Sequence, residues 1–231
     1  MKFQYYDFKL DATNIIGDHP MYSFYLGKLP STIYNSIKQE VDSFKSKKQL
    51  TGYQHLLEGH IDHEYAFDMP QIAEDYIVDR CQDYLSSEAL TQLPSLYVSR
   101  FSEKPTNINF EKRTSAWINF QSKYEYNPLH HHGGFLSYVI WYQIPYKKED
   151  EDRLGPGKGK NDNERAAKHN GNFYFMKCNR GSAEMIDLPV DKSWEGRFAI
   201  FPSELQHGVN PFYTSDEYRI TISNNYFLNI L

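Results

Sequence analysis

The stretch from Asn127 to Ile144 reads NPLHHHGGFLSYVIWYQI. Its second half is rich in aromatic and β-branched side chains, which suit a pleated, half-buried surface. Working outward, every apolar run after Pro94 has the same character: LYVSRF, SAWINFQ, GNFYFMKC, RFAIFP and YRITISNNYF, each bounded by Gly, Pro, Asn or charged residues. An array of short strands divided by turn signals predicts a sandwich or barrel. Composition agrees, because 19 Tyr, 15 Phe and 3 Trp make the chain 16% aromatic. At 231 residues it fits one large domain, which we expect over the whole chain.

Before Pro94 the pattern is different. Ile33, Ile37, Val41 and Phe44 recur at helical spacing behind Ser31 or Thr32 as cap, and Ile72, Tyr76, Ile77 and Tyr84 mark a second helix over Gln71–Leu85. The expectation is an N-terminal extension, 1–93, whose helices pack on the sheet of a β core spanning 94–231. Within that core, residues 147–171 carry seven basic and six acidic side chains among 25 and almost nothing apolar, so they are expected to form a mobile insert or lid. Its GPGKGK lacks the Gly-Lys-Ser/Thr and the strand-then-helix setting of a phosphate loop, and is set aside.

No run approaches the roughly 18 apolar residues of a membrane-spanning helix, and the first residues lack an export signal's apolar core. A cytoplasmic protein with no membrane partner is the expectation. With 25 basic and 30 acidic side chains the net charge is −5, which disfavours nucleic acid as a partner. Cys81 and Cys178 read as buried free thiols. Oligomeric state is not legible.

The chemistry concentrates in three places. In an extended segment residues i and i+2 share a face, so His130 and His132 can offer two imidazoles to one ion while His131 points away. A lone histidine is more often a satisfied core or surface residue; the paired spacing and the glycines that follow shift the balance. The second place is GRFAIFPSELQHGVNP, a strand and short turn that delivers His207 as a third ligand. The third is Arg219-Ile-Thr221-Ile-Ser223, whose alternation puts Arg219 and Thr221 on one face, suited to gripping a carboxylate by a guanidinium fork and a hydroxyl. Read by itself, Arg219 is equally a surface ion-pair residue.

Taken in order, H-x-H, G-x-x-x-x-F-P-x-x-x-x-H and R-x-T over Trp117–Tyr226 resemble the prolyl-hydroxylase-like branch of the 2-oxoglutarate and Fe(II)-dependent oxygenases, including phage-genome members. The resemblance implies a double-stranded β-helix (jelly roll, cupin-like) that is mainly β with flanking α-helices. It also implies a dioxygenase, with hydroxylation as the expected reaction. Fe(II) would be the cofactor, held by His130, His132 and His207, and 2-oxoglutarate the small-molecule co-substrate, held by Arg219 and Thr221. Asn119 and Gln121 share a strand face that can reach co-substrate or substrate, or they simply pair with each other. The departure is His132, where the superfamily usually has a carboxylate. Either the imidazole replaces it, or His131 binds after a register shift, or Glu184 or Asp187 supplies a carboxylate.

Tyr138 and Tyr142 are candidates for the cavity wall, with packing as the plainer account. His55, His60 and His63 near Glu58 and Glu64 lack zinc spacing and read as a solvated loop. Two rivals stand beside the oxygenase: a cupin-type three-histidine metalloenzyme without 2-oxoglutarate, favoured by His132 and opposed by Arg219-x-Thr221, and a non-catalytic jelly-roll binding or structural module. The primary substrate is not legible.

Overall fold

The longest strand, β12 (Arg219–Asn229), lies at the centre of the major sheet and organises everything around it. The computed structural model describes residues 14–16, 23–47, 50–53, 59–86, 109–154, 167–179 and 182–229. The other strands are β1 (Asn14–Ile16), β2 (Phe24–Lys28), β3 (Glu64–Phe67), β4 (Asn109–Lys112), β5 (Ala116–Gln121), β6 (Asn127–His130), β7 (Leu136–Gln143), β8 (Phe173–Asn179), β9 (Ser182–Leu188), β10 (Arg197–Pro202) and β11 (Gln206–Val209). The major sheet runs β1-β2-β10-β7-β12-β5-β3, with β4 also on β12, and the minor sheet runs β6-β11-β8-β9. The pairings are antiparallel.

Period-2 alternation divides the core in two. From the major sheet, Ile118, Phe120, Ile140, Phe198, Ile220 and Ile222 pack with helices α1 (Ser31–Ser46) and α2 (Gln71–Ser86). The opposite face sends Phe24, Leu26, Val139, Trp141, Ala199 and Phe201 against Phe173, Phe175, Ile186 and Leu188 of the minor sheet. Two sheets face to face with helices outside are a jelly roll, and the polar residues of β5 and β12 open into the space between the sheets.

Helix α1 buries Ile33, Ile37, Val41 and Phe44, as their spacing predicts. The expected cap is absent: Pro30 is the N-cap residue and no side chain caps the turn. Helix α2 packs Tyr76, Ile77 and Tyr84 on the core as their spacing predicts, and only Ile72 departs. Ala73, Ile77, Cys81 and Tyr84 meet the sheet, whereas Ile72 is 55% exposed. The segment before Pro94 also contributes β2 and β3 to the major sheet, where only helices were expected. The 147–171 insert is built at both ends. Residues Lys148–Leu154 form α3 and Ala167–His169 a 3-10 turn, and Glu151 of α3 is buried and accepts from the amides of Tyr213 and Thr214 and from Thr214 Oγ1. Residues 155–166, the expected strand LYVSRF and the Cys178 side chain lie outside the described residues. Cys81 is a buried free thiol, its pKa pushed well up by burial and then by Glu74. Among the described residues no helix is long and apolar enough to cross a membrane.

Candidate metal and co-substrate site

Strands β6 and β11 pair with His130 directly opposite His207, and cross-strand neighbours stand close enough for their rings to meet. His132 follows β6, and its amide donates to the Ser203 carbonyl at 2.8 Å, which holds that loop against the turn after β10. Ser203 Oγ accepts from Ser137 Oγ, 2.9 Å away, linking the loop support to the centre of the sheet. The ring centroids are 4.4 Å apart for His130–His207, 4.9 Å for His130–His132 and 4.9 Å for His132–His207. One nitrogen from each ring lies within 4.8 Å of the others. His131 is exposed and outside the cluster, so no register shift occurs.

The nitrogens are in the form a metal needs. A carbonyl oxygen can only accept, so His130 Nδ1 donates to Pro128 O at 2.7 Å and His207 Nδ1 to Leu205 O at 2.8 Å. That fixes the tautomer and leaves Nε2 of each ring as the lone-pair donor. Phe173 stacks on His207 and Phe201 meets it edge-on, at centroid distances of 5.5 and 4.8 Å. Burial, followed by His132 and His130, holds His207 well below the ordinary histidine range. Burial, followed by His130 and His131, brings His132 down to about 3. Three imidazoles that can converge on one ion suit iron, zinc or nickel.

A cavity of about 320 Å³ extends from these rings to Arg219 and Thr221 on β12 and Asn119 on β5. Thr221 is in register with Asn119, and the register of β12 against β7 slips between Ile220 and Thr221, an irregularity of the kind that re-aims side chains beside active sites. Arg219 is 1% exposed. Its Nη1 donates to Gly171 O at 2.9 Å and to Tyr146 Oη at 3.1 Å. Tyr146 Oη itself donates to Gly171 O at 2.7 Å. A Cβ at Gly171, where φ is +71°, would come within 2.7 Å of the Tyr146 ring, so glycine is required there. Among the described residues, Arg219 Nε and Nη2 have no hydrogen-bond partner. These two nitrogens form one edge of the guanidinium, the edge that takes a carboxylate side-on. Burial lowers the arginine's pKa from its ordinary value, with Tyr146 opposing.

Residues 115–225 match the family model described as "Putative 2OG-Fe(II) oxygenase". This segment is similar to 2-oxoglutarate/Fe(II) oxygenase domains. A Pseudomonas putida prolyl-4-hydroxylase crystal structure has the same fold: 14% identity, 89% of this chain and 92% of that chain covered, TM-score 0.50. Weaker likenesses are to AviO1 from Streptomyces viridochromogenes Tue57 (14% identity, 90% of each chain, TM-score 0.43) and to an oxidoreductase of the 2OG-Fe(II) oxygenase family from Burkholderia pseudomallei (9%, 94% of this chain and 73% of that one, 0.36). Neither of these two bears on the argument. No curated protein matches the sequence. Fe(II) and 2-oxoglutarate go with the oxygenase family, and the residues present fit both: an imidazole triad for the ion, and a buried arginine with two open donors for a dicarboxylate.

Several expectations change. Asp187 is occupied elsewhere, 2.9 Å from His169 Nδ1 and accepting from Asn172 at 3.3 Å, and Glu184 stands opposite Lys177 on the outer strand of the minor sheet. Among the described residues, neither brings a carboxylate to the three rings. Tyr138 packs in the helix-side core and also lines the cavity, whereas Tyr142 belongs to that core without reaching the cavity. Asn119 and Gln121 both face the cavity, but Gln121 Nε2 donates to Glu125 O at 2.7 Å, whereas Asn119 Oδ1 is buried without a partner. His60 stacks on Tyr126 and His63 Nδ1 meets Tyr65 Oη at 3.2 Å; His55 and Glu58 lie outside the described residues.

Sequence reasoning missed Tyr146 and Gly171 as the support of Arg219, and Glu64 and Asn127 as cavity residues. For Glu64 the available signal was a carboxylate within the short run HEYAF, where a strand has no use for one unless it faces a site.

Proposed function

We propose that the protein is a 2-oxoglutarate and Fe(II)-dependent hydroxylase, with His130, His132 and His207 holding the ion, Arg219 and Thr221 anchoring the far carboxylate of 2-oxoglutarate, and Asn119 beside them contacting the co-substrate. The observation that carries this reading is the pairing, within one cavity, of three imidazoles with a buried arginine whose Nε and Nη2 are unpartnered. Buried donors left open cost about 1–3 kcal/mol each, so a site that keeps two of them is shaped for a ligand that fills them.

When bound, the iron couples oxidative decarboxylation of 2-oxoglutarate by dioxygen, giving succinate and carbon dioxide, to insertion of the other oxygen atom into a substrate C–H bond. The chain supplies the rest. Carbonyls of Pro128 and Leu205 orient two of the imidazoles, and Phe173 and Phe201 keep water from the inner side of His207. Gly171 and Tyr146 hold one guanidinium nitrogen so that its free edge is presented without rotamer search. Three imidazole ligands would add no negative charge to a bound Fe(II), so a dianionic co-substrate would supply the balancing charge.

The histidine in place of a carboxylate favours a second reading, a three-histidine metalloenzyme that makes no use of 2-oxoglutarate. Titrating anaerobic protein with Fe(II) and then 2-oxoglutarate separates the two. A weak visible charge-transfer band that appears with 2-oxoglutarate supports the hydroxylase, and metal uptake without the band supports the rival. Succinate formation that survives His207→Ala removes the proposed site altogether.

A further inference from the structure

The cavity has a second end that none of these roles uses. Strand β3 pairs with β5 so that Glu64 stands opposite Asn119, and Asn119 stands opposite Thr221. Glu64 therefore lies two strands, about 10 Å, from the strand that carries Arg219. It is 1% exposed, it lines the cavity, and its Oε1 has no hydrogen-bond partner among the described residues. Asn127 Oδ1, reaching the same end from β6, is also buried and unpartnered. A Cβ added at Gly59 would lie 2.1 Å from Asn127 Oδ1 and 3.4 Å from Glu64 Oε1, so the two oxygens are neighbours and the missing side chain at 59 is what gives them room. Tyr53 and Trp117 also line this end, their rings stacked with centroids 6.5 Å apart.

The chemistry of the two ends is opposite. At Arg219 the open groups are donors on a cation; at Glu64 they are acceptors, one of them on a carboxyl. Open buried acceptors need a ligand rich in N–H or O–H, and aromatic faces beside a carboxyl suit a positive charge. We propose that this end recognises a cationic nitrogen group, an ammonium or guanidinium, carried by the primary substrate, with Glu64 as its charge partner and Asn127 Oδ1 as second acceptor. Calling that ligand the substrate rests on the hydroxylase reading; the cation site itself does not. Burial, with Glu125 adding to it, pushes the Glu64 carboxyl up to about 7, the behaviour of a carboxylate awaiting a counter-charge. Opposite charges at the two ends also sort the ligands: the dicarboxylate is repelled from Glu64 and the cation from Arg219.

The test uses metal-free protein and calorimetry with three probes: butylammonium, butylguanidinium and butylurea, the last a neutral counterpart of the guanidinium. Wild type is expected to bind at least one of the cations saturably and at least tenfold more tightly than butylurea. Glu64→Gln, which keeps the shape and removes the charge, is expected to abolish that preference. Gly59→Ala, which forces the Asn127 amide from its place, is expected to weaken cation binding at least tenfold. Equal affinity for cation and urea, a preference that survives Glu64→Gln, or no binding of any probe overturns the proposal. The Fe(II)/2-oxoglutarate band of loaded wild type is recorded alongside. Its absence with cation preference intact sinks the hydroxylase reading and leaves this site standing, whereas its presence with no preference sinks this site alone.

Discussion

Replacing Arg219 by methionine separates what the arginine does for the fold from what it does for the ligand. In the protein without co-substrate the guanidinium is 1% exposed, and among the described residues no carboxylate forms an ion pair with it. Its partners are two neutral oxygens, and those stay satisfied without it because Tyr146 Oη still donates to Gly171 O. Burying an unpaired charge is costly, and exchanging buried charged groups for apolar ones of similar volume is often neutral or stabilising by about 1–4 kcal/mol. In a chain of this size each kcal/mol moves Tm by roughly 2–4 °C, so Arg219→Met should melt at or a few degrees above wild type. Co-substrate binding should move the other way. Two hydrogen bonds to a charged carboxylate, at about 1.5–3 kcal/mol each, represent about 3–6 kcal/mol. At 1.4 kcal/mol per tenfold, 2-oxoglutarate affinity should fall roughly a hundredfold to ten-thousandfold. The assays are a thermal melt of metal-free protein and an anaerobic 2-oxoglutarate titration of Fe(II)-loaded protein followed by its visible band. An affinity within threefold of wild type, or a Tm lowered by more than about 5 °C, refutes the reasoning.

Further outcomes follow from the same geometry. His207→Ala removes one of the three ligands and should lower Fe(II) affinity by at least a hundredfold, measured by calorimetry under argon, by analogy with the 10–100-fold cost of losing even an outer-shell partner. His132→Asp should retain Fe(II) and weaken 2-oxoglutarate, because the added negative charge opposes a dianion; tighter 2-oxoglutarate binding would contradict the charge argument. Glu64 gives a pH signature. Its carboxyl is held at about 7 in the fold against 4.5 for the free group, so between those values the folded state binds more protons and stability declines as pH rises. Glu64→Gln should match wild type near pH 4 and exceed it by up to about 3 kcal/mol at pH 8; a gap that does not widen with pH counts against it. Glu151→Ala leaves the amides of Tyr213 and Thr214 without their acceptor and should cost about 3–5 kcal/mol, read as a Tm lower by about 6–20 °C.

The candidate site was legible because its logic is local. Alternation aims Arg219 and Thr221 together, i/i+2 spacing aims His130 and His132 together, and both relations survive in the fold. What escaped notice depends on partners far along the chain. Glu64 becomes a cavity residue only because β3 pairs with β5, some 55 positions later, and Arg219 is shaped by Tyr146 and Gly171 across the insert. Strand β2 hides for a different reason: Phe24, Tyr25 and Leu26 are buried between both layers, so FYLGK shows no alternation. On α2 only Ile72 was misplaced, because the buried Ala73 and Cys81 are small and carry little hydrophobic signal while the bulkier Ile72 is exposed.

The position of β12 has a consequence for how the protein is made. It comes after the other described strands in sequence, yet it fills the middle of the larger sheet, hydrogen-bonded to β7 on one side and β5 on the other. Until it leaves the ribosome, those two neighbours face each other across an empty slot with both edges open, the condition that invites strand exchange between nascent chains. A proteolytic nick near residue 218 should therefore yield aggregate rather than a slightly trimmed domain.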